Sequence, residues 1–297
     1  MSKVRVLVTG SSGLIGSSLM ESLVASGHEA QGLHRGTRSG DGLYWDPERG
    51  TIDPIEGFDA VVHLAGASIG AKRWTAGYKR VILESRTKGT RLLSEALAES
   101  ASPPQVLISG SAIGYYGDRG DEVLVETDGP GDDFLAKVCI AWEGATGAAE
   151  AAGIRVVHTR TGIVLDDDGG ALSKLLLPFK FGVGGRLGSG EQWWSWISLD
   201  DQVAAIEYLI SQSRLAGAVN LTAPNPARNA QFVKTLADVM NRPALLPAPE
   251  FALKAILGPE LAEALLFTSA RVQPHKLMAD GFVFAHPTLR EALQATL

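Results

Sequence analysis

Apolar runs typical of buried strands alternate with helical patterns through the first two thirds of the chain. The first run, residues 4–8, precedes a stretch in which Leu19, Leu23 and Val24 have the spacing of an amphipathic helix. Further strands are predicted over residues 29–34, 59–66, 106–110 and 154–159, and helices over residues 79–100 and 133–152. This alternation predicts an α/β fold, a doubly wound parallel sheet of the Rossmann type that binds ligands at the carboxyl ends of its strands.

The pattern changes from about residue 169 onward. Helices are predicted over residues 172–181, 201–211, 229–241 and 249–267, strands over residues 192–197 and 218–221, and a glycine-rich loop over residues 182–190. We therefore expect a Rossmann domain over residues 1–168 and a smaller, mostly helical C-terminal lobe over residues 169–297, above the carboxyl edge of the sheet. Because no linker separates them, the two lobes are expected to interleave and to share a core.

Composition narrows the classes of partner. The formal net charge of −6 over 297 residues offers no basic surface, which argues against nucleic acid. The single cysteine, Cys139, excludes an internal disulfide, and the six histidines show no close pair of the metal-ligand type. No apolar run approaches the roughly 18–20 residues of a membrane span, and no signal-like segment precedes the first strand. We expect a cytoplasmic protein without a resident metal.

Residues 9–16 read Thr-Gly-Ser-Ser-Gly-Leu-Ile-Gly and lie between the first predicted strand and helix. In such a turn Gly10 permits the tight bend, Gly13 lets the backbone approach a pyrophosphate, and Gly16 allows close strand–helix packing. The helix N-terminus adds free N–H groups and positive dipole. The predicted cofactor contacts of this turn are Gly10, Ser12, Gly13, Leu14 and Ile15. The alternative is an ordinary glycine turn.

The end of the second strand indicates which dinucleotide is bound. An acid that binds the adenosine ribose 2′-hydroxyl is expected there, but the chain has His34 and Arg35 and no carboxylate. A guanidinium can hold a 2′-phosphate through charge-assisted hydrogen bonds, so Arg35, aided by Arg38, favours NADP over NAD. The alternative is a solvated surface arginine. At the end of the third predicted strand, Leu64, Ala65 and Gly66 are expected beneath the adenine ribose and phosphates.

Several motifs resemble those of the extended short-chain dehydrogenase/reductase superfamily of nucleotide-sugar epimerases and dehydratases. They are the glycine turn at residues 9–16, His-Leu-Ala-Gly at residues 63–66, and Ser-Gly-Ser-Ala at residues 109–112 followed by Tyr-Gly at residues 116–117. More narrowly, the chain is similar to the epimerase-like subfamily 39U, through Ser85-Arg86, the Cys139-x-x-Trp142-Glu143 motif and a C-terminal segment that resembles its domain of unknown function.

The resemblance also implies site residues. Arg86 lies near the place where the superfamily commonly keeps an asparagine that faces the cofactor. A charge there is expected to contact a phosphate or ribose of the cofactor, and the alternative is a structural salt bridge. Val164 is expected to line the nicotinamide pocket through its backbone, with core packing as the alternative. Superfamily members often dimerise through helices on one face of the sheet, which suggests a homodimer for this chain.

The usual acid–base residues of the superfamily are incomplete. Ser111 matches the serine, which orients the substrate oxygen, but alignment on Glu143 puts Leu135 at the tyrosine position and Cys139 at the lysine position. Tyr115 and Tyr116 are the remaining candidates for a proton donor, with packing or substrate stacking as the alternative. Cys139 shares a helical face with apolar residues, which is typical of a core cysteine.

Two hypotheses follow. The first is an NADP-dependent oxidoreductase or epimerase of an atypical extended short-chain type, acting on an unidentified small hydroxy or keto compound or a nucleotide-linked substrate. The second is an NADP-binding sensor or scaffold that has lost turnover, which the missing tyrosine–lysine pair favours.

Overall fold

The computed structural model describes residues 3–36, 42–244 and 246–297. Its strands are β1 (Arg5–Thr9), β2 (Glu29–Arg35), β3 (Leu43–Asp46), β4 (Thr51–Ile52), β5 (Ala60–His63), β6 (Val106–Ala112), β7 (Val123–Leu124), β8 (Arg155–Thr161), β9 (Ile163–Leu165), β10 (Trp193–Trp194), β11 (Trp196–Ser198), β12 (Gly217–Leu221), β13 (Ala227–Arg228) and β14 (Arg271–Val272). Its α-helices are α1 (Leu14–Ala25), α2 (Ala76–Ala98), α3 (Phe134–Glu143), α4 (Gly147–Ala151), α5 (Gly170–Lys180), α6 (Leu199–Ser211), α7 (Asn229–Met240), α8 (Glu250–Leu257), α9 (Pro259–Ala262), α10 (His275–Asp280) and α11 (Leu289–Thr296).

Eight strands form the main sheet in the order β12-β8-β6-β5-β1-β2-β3-β4. Every neighbouring pair is parallel except β3 and β4. The order reverses direction between β1 and β5, which is the topological switch point where open α/β sheets bind ligands. The doubly wound parallel sheet predicted from the sequence is therefore confirmed.

Helices cover both faces of this sheet. Because side chains alternate along a strand, Val6 and Val8 enter one apolar cluster, which includes Leu19 of α1 and Ile206 of α6. Leu7, between them, packs in the opposite cluster, which contains Leu93 and Leu97 of α2. The strands are thus buried on both faces, which explains their nearly continuous apolar sequences.

The part of the chain after residue 168 contains helices α5 to α11 and contributes at least one strand to each of three small two-stranded sheets. Those sheets pair β10 with β13, β11 with β9, and β14 with β7. The first two of these sheets share a core with Trp194, Trp196, Phe232 and Leu293, while Leu124 of β7 and Val272 of β14 belong to a separate cluster. The chain also returns to the main sheet as its edge strand β12. The predicted helical C-terminal region is confirmed, while the division at residues 168 and 169 stays a prediction.

Three elements differ from their predictions. The strand predicted over residues 192–197 is divided at Ser195, whose hydroxyl donates to the Ala270 carbonyl oxygen at 2.8 Å and accepts the Val272 N–H at 2.8 Å. The helix predicted over residues 133–152 is interrupted by a 3₁₀ turn at Gly144–Thr146. The helix predicted over residues 249–267 is α8, α9 and a π-helical turn at Glu263–Phe267. None of the helices in the described ranges has both the length and the apolar character that a membrane crossing requires.

Candidate functional site

The glycine cradle, residues 9–16, joins β1 to α1 at the switch point. Gly10 has a φ of 70°, and a Cβ atom on it would lie 2.9 Å from the Leu64 carbonyl carbon. A Cβ atom on Gly16 would lie 2.1 Å from the Gly10 carbonyl oxygen, well inside van der Waals contact. The Gly13 N–H donates to the Gly10 carbonyl oxygen at 3.0 Å. Both outer glycines are therefore required for the turn to lie this close to α1 and to the end of β5.

The N-terminus of α1 is open to a ligand. Its N-cap residue is Gly13, no side chain caps the helix, and no acidic residue lies in its first turn. The first N–H groups of a helix lack carbonyl partners within it, so here they can bind an anion. Ser12 and Gly13 are exposed, and Leu14 and Ile15 are half-buried. The Leu14 side chain packs against Gly169, so the loop after β9 borders the cradle.

A buried hydrogen-bond network fixes the end of β5 beside the cradle. Thr9 Oγ1 lies 2.6 Å from His63 Nδ1, and His63 Nε2 lies 2.9 Å from Thr90 Oγ1. Thr9 Oγ1 also accepts the Ala65 N–H at 3.3 Å. Burial, together with the charge of Arg86, lowers the pKa of His63 to about 4. A neutral His63 therefore holds Leu64, Ala65 and Gly66 against the glycine turn.

His34 and Arg35 lie at the end of β2, as the sequence predicts, and both are exposed. The His34 ring lies 5.7 Å from the Tyr44 ring, centroid to centroid. In the described ranges, the Arg35 guanidinium has no hydrogen-bond or ion-pair partner. Arg38 lies outside the described residues. The geometry leaves the Arg35 side chain available to a ligand at the cofactor edge of the sheet.

A cavity of about 220 Å³ lies between the carboxyl ends of β6 and β8 and the C-terminal part of the chain. Apolar and aromatic side chains dominate its lining, among them Ile69, Ile113, Leu135, Val138, Trp142, Ile163, Trp193, Trp194 and Leu265. Leu135 and Cys139 are the residues at the tyrosine and lysine positions of the resemblance. No tyrosine, lysine, histidine or carboxylate lines this cavity in the part of the chain that the structure describes.

Arg86 supplies the charge of this cavity. It is half-buried, and its Cζ lies 4.9 Å from the Trp142 ring centroid. Its Nη1 donates to the carbonyl oxygens of Ala67 at 3.0 Å and Ile82 at 3.1 Å. Burial lowers the pKa of Arg86. Within the described ranges no carboxylate pairs with Arg86, so the structural salt bridge considered as its alternative role is not formed there.

Ser111 lies behind the cavity in a buried polar network. Its hydroxyl donates to Glu143 Oε1 at 2.7 Å, and Arg160 donates from Nε and Nη2 to the two Glu143 oxygens at 2.9 Å each. The Arg160 and Glu143 side chains are 5% and 13% exposed. Burial tends to lower the pKa of Arg160, but its hydrogen bonds to Glu143 outweigh this and raise it. The network braces the end of β6 against α3 and β8.

The two tyrosines also contact Arg160 and do not line the cavity. The Tyr116 ring is fully buried, and its hydroxyl donates to Asn220 Oδ1 at 2.7 Å and accepts from Arg160 Nη1 at 3.2 Å. Burial raises the pKa of Tyr116. Tyr115 is half-buried, with its ring centroid 3.3 Å from Arg160 Cζ. The structure therefore gathers Ser111, Tyr115 and Tyr116 around one guanidinium.

Two further candidates have apolar surroundings. Cys139 Sγ donates to the Ala112 carbonyl oxygen at 3.6 Å, and burial raises the pKa of this thiol to about 11. Its environment matches the core cysteine expected from the sequence. Val164 packs against the cluster that contains Val6 and Val8, while its neighbour Ile163 lines the cavity. This packing involves the Val164 side chain, so the backbone contact expected with the nicotinamide stays a prediction.

The sequence reasoning missed the roles of Glu143 and Arg160 in the polar network. The sequence did carry a signal for this network, because Arg160 lies at the end of the apolar parallel strand β8 and a buried arginine needs a partner. No comparable signal identified Ile69 or Leu265 as cavity residues. They meet only because distant segments of the chain fold together.

Comparisons with known proteins agree with this architecture. Residues 6–221 match the NAD dependent epimerase/dehydratase family, and residues 248–296 match a domain of unknown function, DUF1731. An epimerase family protein of Mycobacterium bovis is 42% identical over 296 residues, which cover 99% of this chain and 97% of that protein.

Two solved structures are also similar. The human epimerase family protein SDR39U1 (isoform 2), crystallised with NADPH, is 31% identical with a TM-score of 0.91, over 98% of both chains. A nucleoside-diphosphate sugar epimerase from Corynebacterium glutamicum is 35% identical with a TM-score of 0.83, over 100% of this chain and 58% of that one. These similarities confirm the resemblance to the epimerase-like subfamily. The chain belongs to the NAD dependent epimerase/dehydratase family.

Proposed function

We propose that the protein binds NADP(H) in the glycine cradle and acts as an oxidoreductase or epimerase on a small hydroxy or keto compound or a nucleotide-linked substrate. One observation carries the proposal: the uncapped N-terminus of α1 lies between Gly10 and Gly16, and at the neighbouring strand end Arg35 has no hydrogen-bond or ion-pair partner among the described residues.

The residues of the cradle fit a dinucleotide. The free N–H groups at the start of α1 would hold the diphosphate, since no side chain caps them. Arg35 would hold the 2′-phosphate, for which a guanidinium is well shaped. Ser12, Leu14, Ile15, His34 and the segment from Leu64 to Gly66 complete the proposed cofactor contacts. The NADPH in the structure of the human relative supports this choice.

A nicotinamide cofactor supplies a hydride equivalent, so reduction of a carbonyl to an alcohol needs one further proton. The apolar walls of the cavity would exclude water from the reacting atoms. Ser111 and Tyr116 have hydroxyls that already donate to Glu143 and Asn220. Tyr115 does not line the cavity, but its hydroxyl has no partner in the described ranges, so it remains our candidate proton donor.

Thermal unfolding with each cofactor tests the proposal. NADP⁺ and NADPH should raise Tm more than NAD⁺ does, because a ligand that binds only the folded state stabilises it. Arg35→Ala should remove the preference, while Arg91→Ala, an exposed arginine on α2, should retain it. Equal stabilisation of the wild-type protein by NADP⁺ and NAD⁺, or by neither, would refute the role of Arg35.

The second candidate function is an NADP-binding sensor or scaffold without turnover. The observation that favours it is the absence of a tyrosine, lysine, histidine or carboxylate from the cavity lining in the described ranges. NADPH absorbance followed across a panel of carbonyl compounds and nucleotide sugars separates the two. Turnover that Ser111→Ala or Tyr115→Phe reduces would exclude the sensor. The homodimer, the cytoplasmic location and the lack of a nucleic-acid partner remain predictions.

A further inference from the structure

We propose that the cavity beside Arg86 takes a small, largely apolar compound with a carboxylate or another anionic oxygen, and that the Arg86 guanidinium binds this oxygen. The inference rests on the proposed function, because it assigns a substrate class to that site. It also changes the role expected for Arg86, from a cofactor contact to a substrate contact.

The size and lining of the cavity restrict the ligand. Its volume of about 220 Å³ lies below the roughly 300–1,000 Å³ of pockets that hold drug-sized ligands. Leu135, Val138 and Trp142 line one side, and Trp193 and Leu265 contribute from the C-terminal part of the chain. A nucleoside diphosphate would need several cationic or N–H donors for its phosphates, and Arg86 is the cation among the described lining residues. A compact apolar body fits these walls better.

Several other polar side chains of the lining already donate hydrogen bonds within the protein. Ser195 Oγ donates to the Ala270 carbonyl oxygen at 2.8 Å, and Thr268 Oγ1 donates to the Glu263 carbonyl oxygen at 3.1 Å. Trp193 Nε1 donates to Asp121 Oδ1 at 2.7 Å. Trp142 Nε1 also lacks a partner in the described ranges, but this atom is buried, so a ligand oxygen would have to find its donor elsewhere in the cavity.

Arg86 has donors to spare. A guanidinium carries five N–H groups, and the two on Nη1 are used by the Ala67 and Ile82 carbonyls. Those on Nε and Nη2 have no partner in the described ranges. The adjacent Cys139 cannot serve as a counter-ion at neutral pH, because burial raises the pKa of its thiol to about 11. A partly buried cation without a counter-charge is costly, and an anionic ligand would offset that cost.

A carboxylate of the substrate and a phosphate of the cofactor could both supply the anionic oxygen. Arg86 lies close to Gly66, where a Cβ atom would be 3.2 Å from Arg86 Cζ. However, Arg86 also lines the cavity with Leu135 and Cys139, at the positions of the missing acid–base pair. This placement favours the substrate as the source.

Isothermal titration of NADP⁺-saturated protein with three probes tests the inference. Benzoate is flat, apolar and anionic, benzyl alcohol is its neutral counterpart of similar size, and UDP-glucose represents nucleotide-linked substrates. Benzoate should bind at least about tenfold more tightly than benzyl alcohol, as expected for a hydrogen bond to a charged group.

Arg86→Gln should abolish this difference and change NADP⁺ affinity by less than about threefold, within the scatter of such contributions. Arg91→Gln serves as the matched control, and Leu135→Trp, which fills the cavity, should prevent benzoate binding while NADP⁺ still binds.

Four results would overturn the inference. Benzyl alcohol could bind as tightly as benzoate, neither compound could bind to protein that binds NADP⁺, or UDP-glucose could bind more tightly than benzoate. Arg86→Gln could also weaken NADP⁺ as much as benzoate, which would assign Arg86 to a cofactor phosphate. A failure of NADP⁺ itself to bind would refute the proposed function, and benzoate binding to the cofactor-free protein would then decide the role of Arg86.

Discussion

Gly16 lies where α1 passes closest to the glycine turn, so replacing it by alanine tests the cradle. The added Cβ atom would lie 2.1 Å from the Gly10 carbonyl oxygen, 2.8 Å from the Gly10 carbonyl carbon and 2.9 Å from Ser11 Cα. All three atoms belong to the backbone, so no side chain can rotate away. Non-bonded heavy atoms prefer separations near 3.5–4.0 Å, and the turn must therefore move by about 1 Å or more.

That movement should affect stability and cofactor binding together. Overpacking of this kind costs about 1–3 kcal/mol of unfolding free energy, which should lower Tm by several degrees. The same displacement moves the first N–H groups of α1, so NADP⁺ affinity of Gly16→Ala should fall by about tenfold or more. Urea unfolding gives the stability, and titration calorimetry gives the affinity.

Gly144 provides the matched control. Its φ of −65° is helical, and a Cβ atom there would meet no atom within 4 Å. Gly144→Ala should therefore keep NADP⁺ binding and raise the unfolding free energy by about 0.4–1 kcal/mol. If Gly16→Ala bound NADP⁺ as tightly as the wild-type protein, the cradle would not be the diphosphate site.

Three further predictions concern buried charge. Glu143→Gln leaves Arg160 without its counter-charge and should cost about 3–5 kcal/mol in urea unfolding at neutral pH; a loss below about 1 kcal/mol would contradict the burial of this pair. Burial lowers the pKa of His63 to about 4, so the unfolded chain binds a proton that the folded chain does not between pH 6.5 and 4. The unfolding free energy should thus fall by up to about 3 kcal/mol as pH decreases through this window, and His63→Gln should flatten the slope. Cys139→Lys places a second cation near Arg86 and should be partly rescued by Arg86→Asn, with a coupling of about 0.5–3 kcal/mol in a double-mutant cycle; simple additivity would contradict this.

The central strands could be predicted because parallel strands buried on both faces are apolar along most of their length. Residues 4–8 and 106–110 show such runs, and both form strands of the main sheet. Strand β3, which lies next to the edge strand β4, has a mixed sequence and is mostly half-buried, so its pairing with β2 depends on tertiary structure. The 3₁₀ turn at Gly144–Thr146 could not be predicted either, because the sequence around it has a helical pattern. There the Thr146 hydroxyl donates to the Glu143 carbonyl oxygen.

The cofactor cradle could be predicted in more detail than the cavity. All of its glycines lie within eight consecutive residues, and their spacing reports the backbone geometry directly. Ile69, Trp193 and Leu265 come together in the cavity from distant segments, so no local pattern joins them. Ser111 shows a related difficulty. Its neighbour Ala112 lines the cavity, whereas the Ser111 hydroxyl points toward Glu143, as the alternation of side chains along a strand requires.

The missing tyrosine–lysine pair and the position of Arg86 are linked by electrostatics. Cys139, at the lysine position, is 3% exposed, and its charge would interact with that of Arg86. A lysine ammonium there would add a second cation to a partly buried site that has no carboxylate in its described lining. The arginine on α2 and a neutral residue on α3 are therefore mutually consistent, as are a lysine on α3 and a neutral residue on α2. The cavity thus has one positive charge, which comes from Arg86 on α2 instead of from a lysine on α3. Such a site retains the means to hold an anionic oxygen while it lacks the ammonium that would lower the pKa of a neighbouring phenol.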